Sequence, residues 1–186
     1  MKRCFDIAVA LVAGMLLLAP GVLISLAIKL TSNGPILYWS GRIGRHNRLF
    51  SMPKFRSMYI DAPTVATHLL AEPARWVTPL GRFLRASSLD ELPQLWSILK
   101  GDMSLVGPRP ALFNQYDLIA LRNQHGVQAL RPGLTGWAQI NGRDELGIPE
   151  KVALDVYYLH HRSLALDMKI LLRTVTKVFA REGIVH

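Results

Sequence analysis

The chain has 186 residues, half of them hydrophobic: enough for one domain with a modest core, and too few for a polytopic membrane protein. Lys and Arg outnumber Asp and Glu by 22 to 13, a net charge of +9, which implies anionic partners such as nucleic acid, phospholipid or phosphorylated substrates. Aromatic residues are only 8% and do not alternate with basic ones, which argues for no nucleic acid, and the single cysteine, Cys4, excludes an intrachain disulfide and a cysteine-based zinc site.

Residues 7–28 are an uncharged apolar run preceded by Lys2, Arg3 and Asp6. At ~1.5 Å per residue the run reaches roughly 33 Å, enough to cross a bilayer. It is too long for a cleaved signal peptide, and no small-x-small site follows it. Pro20-Gly21 supplies a place to bend. Basic residues flank both ends, Lys2 and Arg3 before, then Lys29, Arg42, Arg45 and Arg48 after, so the positive-inside tendency is met at both only if the segment folds back. Charge alone leaves a kinked span open. Backbone groups freed at the bend need partners, such as Ser25 or another helix.

After Asn33-Gly34-Pro35 the pattern changes to two short strands, Ile36–Trp39 and Leu49–Met52, around an Arg-rich turn at 41–47. Lys54 and Arg56 follow, readable as surface cations or phosphate contacts. Residues 61–79 carry three prolines and read as a helix-and-loop excursion, with His68 a surface residue. Arg82 and Arg85 then lead into the central stretch, either of them able to steer phosphate or pair with a carboxylate.

That stretch, 87–110, sets Asp90 and Glu91 beside Ser87 and Ser88, then Pro93, a short apolar helix and a Gly-Pro-Arg-Pro turn. Ser88-x-x-Glu91 has the form of a capping box, while Pro93 favours a later start at Asp90. Either start puts the carboxylates in or just before the first turn, where the helix dipole favours their ionised forms. Leu92, Leu95, Trp96 and Leu99 form the expected apolar face, with Gly101 as the stop. The acidic pair has two readings: plain helix caps, or a nucleophile (Asp90) next to a ligand for a hard cation (Glu91). Arg109, stiffened between Pro108 and Pro110, presents a guanidinium suited to phosphate, and with the carboxylates it points to phosphoryl transfer.

Residues 111–130 show a moderate helical pattern expected to pack on the central helix. A turn at Arg131-Pro132-Gly133 leads into an expected strand, 135–140, and to Arg143. Pro149 opens a helix through Leu159 whose Asp155 points inward or outward with equal weight. His160 and His161 are adjacent and cannot share a helical face, which argues against a metal pair. The last helix, about 167–181, is amphipathic, with Met168, Leu171, Leu172, Val175, Val178 and Phe179 on one face. It is either an ordinary packed helix or one lying at a membrane interface.

SLDELPQLWSILKGDMSLVGPRP (88–110), with KFRSM (54–58) before it and RPGLTGWAQINGR (131–143) after, resembles the bacterial sugar transferases, the small monotopic phosphoglycosyl transferases. The resemblance runs nearly end to end. It implies a mainly α protein with a few short β-strands: a re-entrant helix-break-helix at 1–32, broken at Ala19-Pro20, integrated with a catalytic domain at 33–186, and amphipathic interfacial helices. The expected activity is transfer of a sugar 1-phosphate from a UDP-sugar, an N-acetylated amino sugar by family habit, to polyprenol (undecaprenyl) phosphate at the cytoplasmic face of the bacterial inner membrane. By the same resemblance Asp90 is the nucleophile, Glu91 with Asp90 holds Mg²⁺, and Arg109, Arg143, Lys54 and Arg85 bind substrate phosphates. Membrane lipid is a further partner, and self-association into a homo-oligomer stays open. A lipid-linked phosphohydrolase and a non-catalytic basic membrane adaptor are the rival classes.

Overall fold

The computed structural model describes residues 1–63, 72–142 and 146–180. The chain is mainly helical with a few short strands, and two helices open it: α1 (Lys2–Leu16) and α2 (Leu18–Thr31), bent by 60°. The break falls at Leu17, ahead of the expected Ala19-Pro20. Pro20 is the cause at a distance, because a proline ring obstructs the carbonyl four residues upstream, which is Leu16, the last residue of α1. Pro20 itself sits in the first turn of α2, where a missing N–H costs nothing. Ser25 Oγ donates to Gly21 O at 2.7 Å, so one carbonyl near the bend takes a side-chain partner.

Strands β1 (Leu37–Ile43) and β2 (Leu49–Phe55) form an antiparallel hairpin. Both are longer than the sequence suggested, and the turn shrinks to 44–48, with His46 and Asn47 at positive φ. A short helix, α3 (Pro73–Trp76), precedes α4 (Pro79–Ala86), which Thr78 caps by accepting from Gly81 N–H. His68 lies outside the described residues. Then come α5 (Gln94–Lys100), β3 (Ser104–Val106), β4 (Ala111–Leu112) and α6 (Tyr116–Gln124). β4 adds to the hairpin beside β1. Helix α6 packs on the next long helix rather than on α5, contrary to the sequence expectation. The expected 135–140 strand is instead β5 (Gly133–Thr135), parallel to β3, followed by a one-turn helix, α7 (Trp137–Ile140). Helices α8 (Ile148–His161) and α9 (Leu164–Ala180) complete the described chain.

The main core gathers Ala10 of α1, Ile98 of α5, Met103, Leu105, Val106, Tyr158 of α8 and Ile170 of α9. A second cluster joins Ile28 of α2 to Phe55 and Leu84. Of the expected apolar face of α5, Leu95 and Leu99 pack on the main core and Leu92 on the second cluster, while Trp96 is 59% exposed and Gln94, Ser97 and Ile98 are buried beside them.

Polar ties fix both ends of the α1–α2 pair to this body. Arg3 donates to Ile98 O at 2.6 Å and Leu99 O at 2.9 Å, satisfying carbonyls at the α5 C-terminus. Buried Asp6 accepts from Ser104 Oγ, and Lys2 donates to buried Asp167 at 2.6 Å, which also accepts from Tyr158 OH. At the other end, buried Arg56 donates to Ser32 O and Asn33 O past α2. Arg56 is therefore a structural tie at the end of α2.

Candidate active site

Asp90 and Glu91 lie in a single 3₁₀ turn, Leu89–Glu91, ahead of α5. Ser88 enters that turn in the left-handed region, with φ 56°, and its hydroxyl caps nothing. The expected capping box does not form, and Ser87 bonds back to Phe83 O and Leu84 O. What meets the carboxylates is a cation from β2. Lys54 Nζ stands 2.8 Å from Glu91 Oε1 and 3.7 Å from Asp90 Oδ2, in the groove between strand β2 and the 3₁₀ turn. Arg109 Nη2 lies 3.5 Å from the same Glu91 oxygen. Arg85, at the end of α4, donates to Ser57 Oγ at 2.9 Å and adds positive potential at Asp90. Arg82 is exposed.

Burial decides the electrostatics of the nucleophile candidate. Only 7% of Asp90 is exposed, and desolvation pushes its carboxyl above the usual range. Lys54 opposes that shift most, then Arg85 and Arg109, while Glu91 adds to it. The helix dipole expected to lower it is outweighed. Burial likewise lowers the Arg85 guanidinium against the pull of Asp90.

Arg42 is the functional candidate that the sequence reading placed in a turn. It lies on β1, and burial, reinforced by Arg109, lowers its guanidinium to about 10. Its Nε donates to Ser40 Oγ at 3.0 Å and its Nη1 to Pro110 O at 3.1 Å. With Glu91, Gln94, Arg109 and Gly133 it lines a cleft of about 10 Å³. Continuing strand alternation past Trp39 would have found it, since Ser40 and Arg42 share one face of β1.

The Gly107–Pro110 turn leaves β3 and rests on the 131–136 loop. Gly107 N–H donates to Thr135 O and Gly133 N–H to Pro108 O, both at 2.9 Å. A side chain on Gly133 would overlap Gly107 N, and one on Gly136 would overlap Gly107 O, so these backbones approach as closely as glycine allows. The structure thus brings Lys54, Arg85, Asp90, Glu91 and Arg109 together, with Arg42 added. Arg143 lies outside the described residues. His160 and His161 are exposed, and no cluster of three or more His, Cys, Asp or Glu gathers among the described residues. Two adjacent carboxylates nevertheless suit Mg²⁺, a hard ion usually bound by one or two carboxylates plus substrate phosphates. Asp90 and Glu91 are the pair that could hold it, with Glu91 shared between the ion and the cations already on it.

Comparison with known proteins agrees with the motif. The family model described as bacterial sugar transferase matches residues 1–181. An uncharacterized sugar transferase, EpsL, of Bacillus subtilis is 42% identical over 99% of this chain and 90% of its own length. An undecaprenyl-phosphate galactose phosphotransferase of Salmonella typhimurium is 38% identical, and an undecaprenyl-phosphate glucose phosphotransferase of Komagataeibacter xylinus 42%, each over 98% of this chain. The chain spans only 41% and 36% of the length of those two larger relatives. Matched along almost its whole length, with the acidic pair and the Gly-Pro-Arg-Pro turn set into one cationic site, this chain belongs to the bacterial sugar transferase family of enzymes.

Proposed function

We propose that the protein transfers a sugar 1-phosphate from a UDP-sugar to undecaprenyl phosphate, forming undecaprenyl-diphosphate sugar and UMP through a phosphosugar ester on Asp90. The observation that carries this reading is a buried carboxylate, Asp90, ringed by Lys54, Arg85 and Arg109. A carboxylate oxygen of Asp90 attacks the β-phosphorus of the donor. The bond from that phosphorus to the bridging oxygen breaks, and UMP departs with the electron pair. An oxygen of the lipid phosphate then attacks the same phosphorus, breaking its bond to Asp90 and restoring the carboxylate. Lys54 and Arg85 favour the ionised form of Asp90 against its burial, while Arg109 and Arg42 stabilise charge on the phosphate oxygens. Arg143 is proposed as a further phosphate contact. Mg²⁺ held by Glu91 and Asp90 with the diphosphate would neutralise charge as UMP leaves.

Two of the relatives named above are galactose and glucose phosphotransferases by name, so UDP-galactose and UDP-glucose come ahead of an N-acetylated amino sugar as donors. The lipid acceptor fits a membrane-embedded protein. Leu11, Met15, Leu16, Leu18, Leu23 and Leu30 of α1 and α2 are roughly half exposed or more. On α9, Leu164, Met168, Leu172 and Val175 form an outward apolar stripe, supporting the interfacial reading of this helix. Both ends of the α1–α2 pair are tied to one body, which supports a re-entrant segment that leaves the active site at the cytoplasmic face of the inner membrane.

Asp90→Asn is expected to abolish UMP release and the sugar-phosphate adduct seen by intact mass after incubation with UDP-glucose or UDP-galactose. Turnover near that of the wild type would end the covalent mechanism. A phosphohydrolase, by contrast, would release sugar phosphate to water without undecaprenyl phosphate.

A further inference from the structure

We propose that Arg122 and Asp155 form a positioning pair for the transfer, holding the main chain at Arg109 so that its guanidinium meets the substrate phosphate. The inference rests on the phosphate-binding reading of Arg109 and names what holds it in place. Arg122, on α6, donates to Asp155 Oδ2 of α8 twice, from Nε at 2.9 Å and from Nη2 at 2.7 Å. Its third nitrogen, Nη1, donates to the Arg109 carbonyl at 2.9 Å. A planar guanidinium pinned on one edge by a carboxylate has its remaining N–H direction fixed, and here it ends on the catalytic turn.

A plain structural link between α6 and α8 explains less. Buried ion pairs often add no more stability than apolar residues of the same volume, so joining two helices is a poor reason to bury one. Asp155 is 2% exposed and the Arg122 side chain 12%. The turn itself has few handles. Pro108 and Pro110 carry no N–H, so carbonyls must serve as anchors. Arg122 takes that of Arg109, and Arg42 takes that of Pro110. A cleft of about 30 Å³ lined by Pro108, Ala111, Ile119 and Arg122 adjoins the turn. To the backbone contacts that hold Gly107 and Pro108 on the 131–136 loop, the Arg122 bond adds a hold on the Arg109 carbonyl itself.

The test is a double-mutant cycle, with kcat/KM for UMP formation from UDP-glucose or UDP-galactose and undecaprenyl phosphate, alongside hydrogen exchange of the free enzyme. Asp155→Asn should lower kcat/KM roughly 10- to 100-fold in the wild-type background, the loss typical of a displaced contact. In an Arg109→Lys background the same change should cost about threefold or less. Equal losses in the two backgrounds would overturn the positioning role. Wild-type kinetics in Arg109→Lys alone would instead remove the phosphate reading of Arg109. Arg122→Lys, which keeps a charge opposite Asp155, is the second variant should Asp155→Asn fail to fold. Amide exchange at Gly107, Arg109 and Ala111 should quicken in either variant, and unchanged protection there would sink the pair whatever the substrate.

Discussion

In the proposed mechanism Asp90 has to be ionised to attack phosphorus, yet it sits where burial favours the protonated acid. Its acid limb in a pH profile of kcat/KM, which reports the free enzyme, should therefore lie above the usual carboxylate range. Lys54 is the strongest force in the opposite direction. Lys54→Met is predicted to move that limb to higher pH, since removing a cation raises the carboxyl further, and a limb that stays put would separate Lys54 from Asp90. The same argument reaches stability. A carboxyl whose folded pKa exceeds its unfolded one binds more protons in the native state across that window, so stability falls as pH rises through it. Asp90→Asn is thus expected to melt a few degrees higher than the wild type at neutral pH while losing turnover. A lower melting temperature would mean that Lys54 and Arg85 more than offset the desolvation.

Elements show which parts of the sequence speak locally. Pro20 stops α1 one helical turn upstream, and Gly101, with φ 100°, caps α5 in the left-handed region, as its place in the sequence indicated. The entry into the 3₁₀ turn was not legible, because nothing local says that Ser88 will take positive φ and leave its hydroxyl out of the cap. Arg122 and Asp155 were equally hidden, since they find each other, and Arg122 the Arg109 carbonyl, across elements distant in the chain. Glycine crowding at the 107–136 crossing predicts that Gly133→Ala will cost soluble, active enzyme, as no side-chain rotation can relieve an overlap with backbone. Recovery of active protein at the wild-type yield would show that the loop can shift. For the α1–α2 pair, Cys4 and, in a Cys4→Ser, Asn33→Cys variant, Cys at 33 mark its two ends. A membrane-impermeant thiol reagent should miss both in sealed right-side-out vesicles and reach both once they are opened. Labelling of one end only in sealed vesicles would mean a spanning pair.

At the scale of the whole molecule, length and charge indicated one domain with anionic partners, the apolar run at 7–28 pointed to a membrane, and the 88–110 motif named the family. Composition could not say that Lys2, Arg3 and Arg56 would be used as ties within the protein rather than as solvated flanking charge. Those ties have a consequence in time. Lys2 is made 165 residues before its partner Asp167, whereas Asp6 precedes its partner Ser104 by only 98. During synthesis the Asp6 tie can therefore form first, while the Lys2 ammonium has only its neighbour Asp6 until Asp167 is made. A nascent chain arrested between Ser104 and Asp167 thus holds an α1–α2 pair with one of these two anchors available and the other still missing.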